Sequence, residues 1–327
     1  QSSLESGKVS SDFPIYKCKC GNETVFGVCE KCGTKTKKLY FCKACGLLEK
    51  EKCERHGNTF SYKNRAIDIS SIFKNTLRNL NLEHYPDLIK GVRGTSNKNH
   101  IPEHIAKGIL RAKHAIPVNK DGTTRYDMTQ LAITHFKPKE IGTSIKKLRE
   151  LGYESDINGN GLVDENQILE LYPQDLILPS SEESGEEGAN EILFRVSRFI
   201  DDLLKRQYKM DTYYNLDSKE NLAGHLVIAL APHTSAGIMG RIIGFSQTQG
   251  FYAHPMFHAA TRRDCDGDEA CVTLLLDALL NFSRQYLPNT RGATQDAPLV
   301  LTSKLIPSEV DDMAFDVDTC WSYPLDF

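Results

Sequence analysis

The stretch from Cys18 to His56, CKCGNETVFGVCEKCGTKTKKLYFCKACGLLEKEKCERH, holds seven of the ten cysteines of the chain. They fall as Cys18-x-Cys20, Cys29-x-x-Cys32, Cys42-x-x-Cys45 and Cys53-x-x-His56. A two-residue gap lets two thiolates on one tight turn reach the same ion, and zinc takes four such ligands tetrahedrally. Gly21, Gly33 and Gly46 each follow a pair, where such a turn calls for positive φ. Sequential pairing predicts one zinc site from Cys18, Cys20, Cys29 and Cys32 and another from Cys42, Cys45, Cys53 and His56. The one-residue gap of Cys18 and Cys20 is tighter than a standard knuckle and leaves open whether both bind. The segment is poor in large aliphatics, so the ions are expected to be structural and to supply folding energy that its core lacks. A secreted disulfide scaffold would be small and would lack the long cysteine-poor remainder. Clustered thiols beside a histidine point instead to metal and to a reducing, cytoplasmic setting.

Beyond this stretch the chain reads as globular, with 327 residues, 40% hydrophobic and 25% charged. No apolar run reaches the ~18 residues of a membrane span. A net charge of −3 neither favours nor excludes a polyanionic partner, because phosphate contacts come from local patches. The organisation expected is α+β. Residues 1–16 form a polar, Ser-rich, disordered leader, 17–60 the zinc-binding module and 61–180 a mixed middle region. An acidic loop over 181–190 then leads into a last region over 191–327.

Periodicity places a helix on Ile69, Ile72, Phe73, Leu77 and Leu80, with Asp68 or Ser70 as its cap. A second helix is expected to open at Pro138, carry Ile141, Ile145, Leu148 and Leu151 on one face, and stop at Gly152. A strong amphipathic helix follows over Ile192 to Leu204. Strand candidates are Ala115 to Val118, the run 226–231 (LVIALA) and 298–303 (PLVLTS), and 271–287 (CVTLLLDALLNFSRQYL) reads as one long apolar helix.

Two further stretches carry chemistry. Asp156-x-Asn158-x-Asn160-Gly161, with Asp164 and Gln167, resembles a calcium loop, yet Gln167 stands where a bidentate Glu is needed. A plain turn is the alternative and the preferred reading. The run from His254 to Glu269, HPMFHAATRRDCDGDE, places Asp264, Asp266, Asp268 and Glu269 behind Arg262 and Arg263. On an extended backbone Asp266 and Asp268 point the same way, which suits a hard cation such as magnesium. Taken alone, the run reads more readily as a solvated acidic turn than as a metal site. His254 and His258 could share a helix face as ligands, but such histidines are more often satisfied core or substrate-contact residues, which is the preferred reading.

The runs GHLVIALAPHTSAGIMGRIIGF (224–245), YAHPMFHAATRRDCDGDE (252–269) and LLNFSRQYLP (279–288) closely resemble the large subunit of the archaeal D-family DNA polymerase. So do KGILRAKHAIPV (107–118), HFKPKEIG (135–142), KLRELGY (147–153) and QDLILP (174–179), so that the likeness covers nearly all of 17–327. The resemblance implies a fragment of a longer catalytic subunit, with a zinc-ribbon module and a double-psi β-barrel over 191–327 bearing the Asp-Gly-Asp loop. It implies template-directed DNA synthesis from dNTPs on a primer-template, by a two-metal mechanism. Asp266 and Asp268 would hold magnesium, with Asp264 a further carboxylate where the family usually has Asn. Arg241, His258, Arg262 and Arg263 are implied contacts to DNA or nucleotide. Two structural zinc ions, catalytic magnesium and a small subunit with a proofreading exonuclease complete the expected set. The rival readings are a non-catalytic zinc-ribbon module that binds DNA or a subunit, and an RNA polymerase relative.

Overall fold

The computed structural model describes residues 7–84, 87–92, 103–181, 183–231, 236–261, 267, 269–283, 300–302 and 317–326. The chain divides into two units, one of residues 1–121 with 199–213 and one of 122–198 with 214–327.

The first unit is organised by β1 (Lys8–Lys17), a ten-residue strand that alternates intermediate and exposed positions before burying Pro14, Ile15 and Tyr16. Its N-terminal part pairs antiparallel with β7 (Tyr62–Asp68), in register from Lys8↔Asp68 to Pro14↔Tyr62. Its C-terminal part pairs with β2 (Glu23–Thr24) and β3 (Lys37–Cys42). The disordered leader expected through residue 16 is therefore corrected from Lys8 onward, because the polar run is stitched to β7 by backbone bonds that its composition does not advertise. β3 turns into β4 (Gly46–Leu48), and β5 (Lys52–Cys53) pairs with β6 (Gly57–Asn58). Helix α1 (Ile69–Leu80) begins where predicted, with the Asp68 carboxylate accepting from the Ser71 amide at 2.9 Å. Helix α2 (Ile105–Lys113) buries Ile109, Leu110 and Arg111, whose guanidinium makes a bidentate pair with Glu103. Ala115, at φ 52°, turns the chain after α2, and Ala115 to Val118 is not the strand expected.

The second unit is a closed ring of six strands. β8 (Tyr126–Ala132), β11 (Asp175–Pro179), β12 (Leu226–Leu230), β13 (Ala236–Ser246), β14 (Phe251–Ala253) and β15 (Glu269–Leu274) run in the order β11-β14-β8-β15-β12-β13, and β13 returns to β11. The β11–β13 and β14–β8 pairs are parallel and the other four are antiparallel. Closure gives each of the six strands a neighbour on both sides, while the start of β13, outside the β11 register, takes β16 (Val300–Thr302) on its remaining edge. The barrel draws β8 and β11 from the stretch expected as a middle region, so it begins well before residue 191. Short strands β9 (His135–Phe136) and β10 (Leu169–Glu170) pair beside it. A cluster of Phe136, Ile141, Leu148, Tyr153, Leu162, Leu169, Leu171, Ile177 and Ile243 packs one side of the barrel wall.

Two helix boundaries differ from the sequence reading. The helix expected from Pro138 is split into a 3₁₀ turn (Pro138–Ile141) and helix α3 (Ile145–Glu150). Gly142 at φ 62° stops the first piece, and the Ser144 hydroxyl, accepting from the Lys147 amide at 3.3 Å, starts the second. The long helix expected over 271–287 is β15 up to Leu274 and then helix α6 (Leu275–Asn281). Val272 and Thr273 are β-branched; Val272 pairs with both β8 and β12 and Thr273 with β12, so ladder bonding outweighs the helical spacing of the leucines. Helix α4 (Ala189–Asp202) is the amphipathic helix predicted, and a π-helical turn (Leu203–Tyr208) extends it. No helix among the described residues is long and apolar enough to cross a membrane.

Gly244 in β13 lets the 3₁₀ turn lie against the barrel, since a Cβ there would sit 2.7 Å from the Ile141 carbonyl oxygen and 2.6 Å from the Thr143 hydroxyl. Gly244→Ala is expected to destabilise this unit by about 2 kcal/mol through overpacking. Urea unfolding followed through Trp321, the only tryptophan of the chain, measures it, and an unchanged midpoint would show that the contact is not a constraint.

Candidate metal centres and the barrel loop

Each predicted zinc group assembles as sequential pairing predicts. Cys18, Cys20, Cys29 and Cys32 bring their sulfurs within 4.8 Å of one another, and so do the ligand atoms of Cys42, Cys45, Cys53 and His56. In the first group the Cys18–Cys32 and Cys20–Cys29 sulfurs are 3.4 and 3.8 Å apart. In the second, His56 Nδ1 lies 3.7, 3.2 and 3.6 Å from the sulfurs of Cys42, Cys45 and Cys53. A tetrahedral ion with bonds of about 2.3 Å has ligand–ligand edges of roughly 3.7 Å, so both groups fit one. The tight Cys18-x-Cys20 spacing thus delivers both sulfurs. Turns position them: Gly21 donates to the Cys18 carbonyl at 3.0 Å and Gly33 to that of Cys29 at 2.8 Å. The Thr34 hydroxyl beside Cys18 holds its thiol down at about 6, while burial pushes the Cys29 thiol up to about 12. A divalent ion favours the deprotonated form of all four ligands and displaces such unevenly held protons.

In the barrel, helix α5 (Pro255–Ala260) and β15 flank the acidic run. Arg262, Arg263, Asp264, Asp266 and Asp268 lie outside the described residues, whereas Gly267 is described, at φ 110°, a conformation that favours glycine. The residues leading into the run are held from beneath. His258 is fully buried, its Nδ1 accepting from the Gln130 amide at 2.9 Å and its Nε2 donating to the Leu131 carbonyl at 3.0 Å. Gln130 also donates to the Thr261 hydroxyl at 3.1 Å, and that hydroxyl donates to the His258 carbonyl at 2.6 Å. His254 caps α5 by accepting from the Met256 amide at 3.2 Å, and its other nitrogen meets the Trp321 carbonyl at 3.0 Å. Both ring nitrogens of each histidine are engaged, so the pair is core rather than metal ligand, and His258 is not placed to touch DNA. Arg241 gives two hydrogen bonds, of 2.8 and 2.7 Å, to buried Asp175, which also accepts from the Tyr153 hydroxyl at 2.7 Å. Asp175 raises the pKa of Arg241 further, and burial raises that of Tyr153.

Residues 82–327 match the family described as DNA polymerase II large subunit DP2, catalytic domain. The chain belongs to that family. It is 52% identical to the DNA polymerase II large subunit of Archaeoglobus fulgidus over 326 residues, covering 99% of this chain and 28% of that protein. Its identity to the large subunit of Nanoarchaeum equitans is 45% over 362 residues, covering 98% and 29%. For Pyrococcus furiosus the figures are 47% over 335 residues, covering 99% and 26%. The chain therefore spans between a quarter and a third of the length of these large subunits.

Within this polymerase family member the calcium-like loop is a turn. Asp156 accepts from the Asn158 and Asn160 amides at 2.9 Å each and from the Gln167 side chain at 3.1 Å, while the Gln167 oxygen accepts from Val163 and Asp164. N–H donors fill the oxygens that a cation would need. Sequence reasoning missed Gln130, Thr261 and Asp175 as positioning residues. Of these only Asp175, an isolated acid opening the apolar run DLILP, carried a signal that it needs a buried partner.

Metal analysis of the purified chain is expected to give two tightly held ions, and Cys20→Ser to remove one, because the Cys20 sulfur lies within reach of the other three; two retained ions in that variant would exclude it as a ligand. Burial holds His258 down at about 4, below its ordinary 6.5. Between these values the unfolded chain takes up a proton that the folded chain refuses, so this stability is fully present above about 6.5 and is lost as the pH falls toward 4. The loss from pH 7 to 4.5 is on the order of 2 kcal/mol, and urea midpoints of the parent and His258→Gln, whose slope is expected to be flatter, test it.

Proposed function

We propose that this chain carries the metal-binding half of a DNA polymerase active site, in which Asp266 and Asp268 hold magnesium. The observation that carries this reading is the match to the family's catalytic domain over 82–327, which contains the Asp-Gly-Asp run between α5 and β15. Two carboxylates flanking a glycine make a hard oxygen donor set of the kind magnesium prefers. When bound, such ions lower the pKa of an attacking hydroxyl and neutralise a triphosphate leaving group, which is the chemistry of nucleotidyl transfer from dNTPs to a primer 3′-hydroxyl. Arg262 and Arg263 would balance phosphate charge, and Asp264 would support the aspartates. Arg241 has its guanidinium edge on Asp175 and would reach DNA only with its remaining face.

The six-strand ring with its parallel β11–β13 and β14–β8 pairs supports a double-psi barrel as the frame of this site. The tetrathiolate and Cys₃His groups are best read as two structural zinc ions, since soft tetrahedral ligand sets with all four positions taken leave no open position for catalysis. DNA, dNTPs and a small exonuclease-bearing subunit are the partners this reading supplies. A binding module without chemistry remains the rival that the two metal groups alone would equally serve.

The test places Asp266→Ala and Asp268→Ala separately in the full-length large subunit assembled with its small subunit. Each is expected to lower magnesium-dependent primer extension on the order of 10³-fold while zinc content stays at two ions per large-subunit region of this kind. Extension at the parental rate in either variant overturns the assignment, and DNA binding without any extension by the parent enzyme favours the rival.

A further inference from the structure

The metal-stapled part of the first unit carries a small aromatic cluster that reaches its surface at Phe60. Phe41 and Phe60 form an antiparallel bridge in which each amide donates to the other's carbonyl, at 2.7 and 2.8 Å. Directly opposed residues of such a pair project to the same face. Phe60 is 38% exposed, and its ring meets the Tyr62 ring edge-on at 5.7 Å. Lys43 lies over the Phe60 ring at 5.4 Å and Lys63 over the Phe41 ring at 5.2 Å. Both lysines are exposed, and among the described residues neither has a carboxylate within ion-pair distance. Nearby Lys37 and Lys50, by contrast, are tied to Glu49 and Glu54.

One exposed and two half-buried rings, beside two ammonium groups without a carboxylate partner among the described residues, are an odd surface for a protein in water. Lys43 and Lys63 cover one face each of Phe60 and Phe41, but they are flexible, exposed side chains that can swing to a phosphate as a base takes the ring, and the charges have one sign. Both features suit a flexible polyanion with flat apolar rings along it. We propose that Phe41, Phe60, Tyr62, Lys43 and Lys63 form a stacking platform for single-stranded nucleic acid, whose bases lie on the rings while its phosphates take the ammonium groups. Unpaired bases are required, since the bases of a duplex are already stacked on one another. The platform lies in the first unit, whereas the acidic run belongs to the second. Strand binding and primer extension can therefore fail independently.

Fluorescence anisotropy of the 327-residue chain, loaded with its metal, tests this with a labelled twelve-nucleotide oligo(dT). The same length of oligo(U), a duplex, an abasic strand and an acidic peptide serve as comparisons. Phe60→Ala is expected to weaken oligo(dT) binding about 10-fold or more, and Phe60→Trp to restore it. Phe60→Leu keeps apolar bulk without a ring and carries the same expected loss, so a variant that retains both metal ions is available. Lys43→Gln with Lys63→Gln should lower the slope of log K against log salt by roughly 0.7 for each lysine. Equal loss for oligo(U) means that the platform reads stacking alone, and loss for oligo(dT) only means that it is specific to DNA; both support it. Parental affinity in the metal-retaining Phe60 variants overturns the proposal, as does equal binding of the abasic strand or a Phe60-dependent grip on the acidic peptide in place of the strand.

Discussion

The barrel stands on its closing seam. β11 and β13 meet in parallel, and the first pair of the register is Asp175 with Arg241, a buried carboxylate and the guanidinium that neutralises it. Of the six pairings in the ring, this one opens with a bidentate ion pair and a Tyr153 hydroxyl on the same carboxylate. Losing Arg241 would leave the buried Asp175 carboxylate uncompensated, which costs far more than the intact pair contributes. With the seam closed, β15 sits between β8 and β12, and the acidic run enters it from a helix pinned by Gln130 and His258.

Spacing made the metal centres legible because ligand chemistry is local: four side chains within 15 residues must converge if an ion is to bind them all, and the sequence order of the pairs was also their spatial order. The helix at Ile69 was legible for the same reason, since its cap lies next to its first turn. What failed were choices settled at long range. Val272 and Thr273 belong to a strand because residues more than 40 and more than 140 positions away pair with them, Ala229 and Ile228 on one side and Tyr126 on the other. The polar run at Lys8 is ordered by β7, which no local pattern reveals.

The acidic run is an intermediate case. Its carboxylates could be named from the sequence, but a solvated turn and a metal site use the same letters, and it is the extended likeness on either side that favours the second reading. The residues that hold its approach, Gln130 and Thr261, are ordinary polar side chains in the linear chain. They acquire a role only when β8 passes under α5.

The two metal groups share an asymmetry. In each, the first and third ligands are buried and the second and fourth are exposed, so that Cys18, Cys29, Cys42 and Cys53 face inward while Cys20, Cys32, Cys45 and His56 face water. An ion held there would be half walled in and half open to water. A chelator or an oxidant would meet the outer two ligands of each set first, so ligand exchange would begin on that pair while the inner thiolates still held the ion. Loss of metal would then run in two stages.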